Sequence, residues 1–178
     1  DRSFEEVHLR FYVRRIAADG SARRGVVFVR ELVPRAAIAR TARLVYNEPY
    51  LALPMRSTAP RAATDTPVRV AYEWRHRSEW GGVSALAAGA PAIPAPDSEA
   101  TFITEHYWGY TRQRDGGTVE YEVAHPPWRV WAAAEPRFIG NVSPLYGEGF
   151  APALAAVPAS SYIAEGSAVT VYRPRRIA

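Results

Sequence analysis

The chain has 178 residues, 48% of them hydrophobic and 22% charged, with a net charge of +4 and no cysteine. Such a composition excludes a disordered chain, a disulfide scaffold and a thiolate metal site, and it makes the cytoplasm the default compartment. All 22 basic residues are arginine, scattered along the chain rather than gathered into a stripe, so neither nucleic-acid binding nor Schiff-base catalysis by a side-chain amine is expected.

Residues 4–13, "FEEVHLRFYV", alternate strictly, with Val7, Leu9, Phe11 and Val13 on one face and Glu6, His8, Arg10 and Tyr12 on the other. Period-two alternation predicts a half-buried strand. Asp19-Gly20 supplies a turn and "VVFVRELV" a returning strand. Pairing about that turn sets His8 opposite Glu31 and Arg10 opposite Val29.

Pro34 then opens a helix that runs to about Tyr46, with Ala36, Ile38, Ala42, Leu44 and Val45 as its apolar positions and Pro49 as its stop. "VRVAYEWR" and "EWGGVSALA" read as a hairpin around "HRSE". The proline-rich "PAIPAPDSEA" is a loop in which Asp97 or Ser98 caps a short helix reaching about Thr104.

"HYWGYTRQ" and "TVEYEVA" form a hairpin. A two-residue Asp115-Gly116 loop would face Tyr110 with Tyr121 and Trp108 with Val123, and would bring His106 near His125. A strand at "WRVWAAAE", a short helix in "PLYGEGFAPALA" and a closing strand "SAVTVYR" complete the chain. The expected architecture is mainly β (α+β): about eight strands and three short helices in one mostly antiparallel system, curled toward a barrel, within a single domain over residues 1–178. No apolar run approaches the ~20 residues that span a bilayer, so no membrane partner is expected.

The motifs "EVHLRFYV", "RGVVFVRELVPR", "YNEPY", "HYWGYTRQ" and "VTVYR" resemble the uncharacterised family typified by YqjF, grouped in the acetoacetate decarboxylase-like superfamily. The resemblance covers nearly the whole chain, and it implies a cone-like antiparallel barrel around a small pocket. Family members carry a further N-terminal stretch before "EVHLR", which implies that such a segment is missing here, and they favour Asn where this chain has His8. In the decarboxylases a helix leads into a segment whose lysine forms the Schiff base. The matching part of this chain is Glu48-Pro49-Tyr50-Leu51, with Tyr50 in place of the amine.

These readings yield a set of candidate residues. Glu6, Glu48 and Tyr50 are candidates for acid–base chemistry. Arg10 is a candidate carboxylate clamp, and Glu31, Tyr46, Asn47, His106, Trp108 and Tyr110 are candidate contacts to a small ligand. Each also has a plainer role: a solvated strand face for Glu6 and Arg10, a backbone-bonded loop carboxylate for Glu48, barrel wall for the aromatics. His106 and His125 lack the spacing of ligands held on one element, and no metal or other cofactor is assigned. The function expected is an acid–base lyase or isomerase acting on a small carbonyl or carboxylate compound. The alternative is a non-catalytic ligand-binding or assembly module. The exposed edges of an incomplete barrel favour a homo-oligomer.

Overall fold

The computed structural model describes residues 3–59 and 64–177. It is mainly β, a curled half-barrel of sheet with a few short helices. The first hairpin pairs β1 (Val7–Ile16) with β2 (Ala22–Val33). Its turn is fixed locally: Gly20 takes φ +80°, and the Asp19 carboxylate accepts from the Ser21 amide at 2.9 Å and hydroxyl at 2.6 Å. His8 lies opposite Glu31 as the turn predicts. Arg10, however, faces Phe28 rather than Val29, because a bulge shifts the register after Leu9.

The strand β2 is twelve residues long, and its pairing departs most from the antiparallel expectation. One edge carries β1. The other is shared end to end by two parallel partners, β7 (Trp108–Arg112) at Gly25–Val26 and β3 (Tyr50–Ala52) at Glu31–Val33. Parallel neighbours need a crossover, and α1 (Ala36–Val45) provides one between β2 and β3. A three-residue β3 is too short to show as a strand in sequence. Only Ala39 of α1 is fully buried; Leu44 and Val45, read as part of its apolar face, are exposed because the helix ends there and the chain turns away.

Thereafter β7 pairs with β8 (Thr118–Ala124), which also carries β11 (Thr170–Val171) and β12 (Arg175–Ile177). Glu120 faces Tyr110, Tyr121 faces Gly109 and Glu122 faces Trp108, one residue off the expected register. The cause is a wider loop, closed by the Gln113 amide to the Gly117 carbonyl at 2.7 Å and the Gly116 amide to the Gln113 carbonyl at 3.0 Å. A one-residue slip sends every side chain to the other face.

The second sheet is antiparallel, in the order β10 (Tyr162–Ala164), β9 (Val130–Ile139), β6 (Glu79–Gly89), β5 (Thr64–His76), β4 (Met55–Thr58). Its β5–β6 hairpin closes on Arg77-Ser78, inside the expected "HRSE". Ser98 caps α2 (Glu99–Thr104), accepting from the Thr101 amide at 3.2 Å. The expected C-terminal helix is two, α3 (Ser143–Tyr146) and α4 (Ala151–Ala155), parted near Gly147 at φ +86°. The core joins Leu32 of β2 and Trp74 of β5 to Val142, Leu145 and Tyr146 around α3, with Val7, Leu9 and Phe138 packed against them. Among the described residues no helix is long and apolar enough to cross a membrane.

Candidate functional site

Opposite the core side of β1 and β2 lies a second buried set, and it is polar. Cross-strand pairing places His8 against Glu31 and Glu31 against Tyr50. The loop after α1 brings Glu48 over the same place. Tyr46 closes the helix, its amide bonded to the Ala42 carbonyl at 2.9 Å, and Asn47 then takes φ +56°. Asparagine tolerates this left-handed conformation better than most residues. Its side-chain amide donates to the Arg112 carbonyl at 2.8 Å, and Gln113 donates to the Tyr46 carbonyl at 3.0 Å, so the loop is stitched to the end of β7. The polar cluster in "YNEPY" thus reverses the chain and drops one carboxyl group into the interior.

Glu48 is 4% exposed. Its Oε1 accepts from the Thr111 hydroxyl and, at 2.8 Å, from the Tyr121 hydroxyl. Burial raises its pKa, and those two donors oppose the rise without cancelling it. Glu31 is 1% exposed, and its Oε1 has no hydrogen-bond partner among the described residues. Burial first, then the charges of Glu48 and Glu6, push its pKa up to about 9 against the opposing Tyr50 hydroxyl. At neutral pH Glu31 is therefore a protonated acid. Tyr50 and Tyr121 are likewise raised by burial and by the neighbouring carboxyl groups, so both remain hydroxyl donors.

The cluster reaches solvent through His8. Its Nε2 lies 3.4 Å from Glu31 Oε2 and 3.5 Å from Glu6 Oε2, with 26% of the His8 side chain and 34% of the Glu6 side chain exposed. The series Glu48, Glu31, His8, Glu6 runs from the interior to the surface, every member able to give or take a proton.

Of the residues singled out in sequence, Glu6, Glu31, Glu48 and Tyr50 come together here. Tyr46 and Asn47 support the set: the Tyr46 ring packs edge-on against Tyr121, with centroids 5.3 Å apart, and Asn47 shapes the turn. Arg10 is engaged elsewhere. It donates to the Ile103 carbonyl at 3.1 Å and lies over the Tyr12 ring. His106 sits beside that ring and Phe102, with neither ring nitrogen partnered among the described residues. Burial, then the charges of Arg10 and Arg24, lower its pKa to about 4. His125, expected near His106, instead stacks on Trp128 and contacts Tyr107. No group of three or more His, Asp or Glu able to hold a metal ion occurs among the described residues.

The shifted β7–β8 register explains where Trp108 and Tyr110 go. Both face a separate network centred on Glu120, which is fully buried. Glu120 accepts from Arg15 at 3.1 Å, Arg23 at 2.6 Å, Arg175 at 2.6 and 2.9 Å, and the Tyr110 hydroxyl at 2.9 Å. Trp108 lies against the guanidinium groups of Arg23 and Arg175. These two aromatics therefore belong to an ion-pair network rather than to the carboxyl cluster. Sequence reasoning missed Thr111 and Tyr121 as donors to Glu48, and no local pattern marks either one. His8 was legible through its pairing with Glu31.

Fold and site together define a half-barrel β protein with a buried carboxyl pair. A model of the family described as an uncharacterised conserved protein, DUF2071, matches residues 1–168, and the chain belongs to that family. Among curated proteins none matches.

Proposed function

We propose that the Glu48–Glu31–His8–Glu6 series is an acid–base site acting on a small oxo-carboxylate by proton transfer next to its carbonyl group. The observation that carries the reading is Glu31: a buried carboxyl group, protonated at neutral pH, with one oxygen free of partners among the described residues and the other beside an imidazole. Such a group can donate a proton to a carbonyl oxygen, and pKa values displaced this far are common at reaction sites. In the step envisaged, His8 takes the proton from the carbon α to the carbonyl while Glu31 delivers its own to the oxygen, giving an enol. Glu6 holds the imidazole and opens the path to solvent. Tyr50 and Tyr121 hold the carboxyl groups in place.

Arg10 lies two residues from His8 on the same strand, about 6.6 Å along it, and would have to give up its bond to the Ile103 carbonyl to hold a carboxylate attached near the carbonyl. The resemblance to the acetoacetate decarboxylase-like superfamily supports a carbonyl substrate, with Tyr50 where that superfamily carries its amine. Because this chain has no lysine, the chemistry is enolisation, hydration or dehydration rather than decarboxylation through an imine.

The test is α-proton exchange of 2-oxobutanoate and 4-oxopentanoate in deuterated buffer, followed by proton NMR. The protein should accelerate exchange, and Glu31→Gln should reduce that acceleration about 100-fold or more. Exchange at the buffer rate with both compounds, or undiminished exchange in the Glu31→Gln variant, overturns the reading. A second reading, a binding barrel without turnover, draws support from a different observation: a cavity of about 710 Å³ lies away from the carboxyl pair.

A further inference from the structure

That cavity, about 710 Å³, lies on the second sheet, and none of its lining residues belongs to the carboxyl series. We propose that it is an independent binding site for a monoanionic amphiphile, a molecule with an apolar body and one carboxylate head.

Its floor follows from strand pairing. Tyr72 faces Val83, Val70 faces Ala85, and Val83 faces Phe138, so these side chains share the sheet face that carries Trp74. At the Trp74 end that face is covered by Val142, Leu145 and Tyr146 and forms the core. Toward Val70 and Ala85 the same apolar face continues into the cavity, which β10 borders through Ile163. The volume lies in the range of small-molecule sites, about 300–1,000 Å³, and apolar walls with a few converging polar groups are their usual chemistry.

The charged groups at the cavity choose the head group. Arg129 and Arg137 line it with a single acid, Glu165, and Glu135 beside Arg137 also pairs with Arg69, so three arginines face two acids. Arg129 is held in place by two bonds to the Pro91 carbonyl, at 2.9 and 3.3 Å, while its Nη1 stands 3.9 Å from Glu165, beyond hydrogen-bond distance. Among the described residues, Arg137 has an acid no nearer than Glu135 at 3.6 Å. Each guanidinium retains unused donors that a planar carboxylate can accept. A neutral lipid would leave the one excess positive charge of this group unmatched, and a dianion would exceed it.

Trp131 also lines the cavity and reports on its occupancy. Titration with decanoate, read by tryptophan fluorescence and by calorimetry, should give saturable one-to-one binding, with decanol binding at least about tenfold more weakly. Ala85→Trp fills the cavity and should abolish binding. Arg129→Gln and Arg137→Gln, at partly exposed side chains, should each weaken decanoate about tenfold and leave decanol unchanged. Glu31→Gln should leave decanoate binding intact, which separates this site from the proposed reaction. Absence of saturable binding, equal affinity for decanol, or full binding by a folded Ala85→Trp variant overturns the proposal. So does concentration-dependent self-association that decanoate fails to compete, since a second copy of the chain would then be the occupant.

Discussion

Gly109 and Tyr121 sit directly opposite each other across β7 and β8, and a β-carbon on Gly109 would collide with the hydroxyl-bearing edge of the Tyr121 ring. The absent side chain is the space in which that ring lies while its hydroxyl reaches Glu48 at 2.8 Å. Gly109→Ala should therefore cost about 1–3 kcal/mol through overpacking. Combining it with Tyr121→Val, which vacates the space, should cost less than the sum of the single changes. Urea denaturation of the four proteins measures this coupling, and strict additivity would show that the contact does not matter.

Stability should depend on pH chiefly through Glu31 and His106, with Glu48, also raised by burial, adding to the sign of Glu31. Glu31 binds its proton more tightly in the folded state, about 9 against 4.5. Stability therefore falls as pH rises across that window, by at most about 1.4 kcal/mol per pH unit. His106 is lowered from 6.5 to about 4, so its contribution is present above 6.5 and is lost as pH falls toward 4. Between 4.5 and 6.5 the two slopes oppose; above 6.5 Glu31 dominates. Melting temperatures should change least near pH 5–6 and decline toward pH 9, and Glu31→Gln should make the decline shallower. An unchanged alkaline slope in that variant contradicts the assignment.

Glu120 compensates three guanidinium groups from β1, β2 and β12. Burial alone would raise its pKa; the bonds from Arg175 and Tyr110, with the nearby arginine charges, hold it below the usual value instead. Glu120→Ala leaves those cations facing one another, at a cost of about 3 kcal/mol, the low end for a buried pair because Arg175 is well solvated. Sulfate should restore more of the loss than chloride at equal ionic strength. A loss under about 1 kcal/mol by urea denaturation would mean that the arginines are solvated without Glu120.

Asn47 carries the left-handed turn that delivers Glu48. Asn47→Val should destabilise by about 1–3 kcal/mol, since a β-branched residue is strained at φ +56°. Asn47→Gly removes the strain but also the bond to the Arg112 carbonyl, and should lie between the wild type and Asn47→Val. Thermal melts of the three proteins order them, and an Asn47→Gly variant that melts below Asn47→Val contradicts the backbone argument.

The local grammar of the chain was readable residue by residue. Asp19-Gly20, the Ser98 cap, the stop at Pro49 and the alternation of β1 depend on neighbours within a few positions, where sterics and short hydrogen bonds decide. The pairing of His8 with Glu31 followed because a tight turn transmits register along a hairpin. The same logic failed at Arg10, where one bulge intervened, and at Tyr110, where a wider loop moved the register by one. Arg10 and Glu48, assigned to one pocket from sequence, have different neighbours: Arg10 the Ile103 carbonyl and the Tyr12 ring, Glu48 the hydroxyl groups of Thr111 and Tyr121.

Composition and periodicity alone established a β-rich fold, a chain without amine or thiolate chemistry, and the identity of the acids available. They could not establish that Glu31 would be left protonated beside Glu48. That depends on β2 accepting β3 and β7 along one edge, which brings together residues far apart in the chain. Strand partnership is a competition among distant backbone groups, all chemically alike, so local sequence carries little information about its winner. Removal of water from the carboxyl groups follows only once that competition is settled.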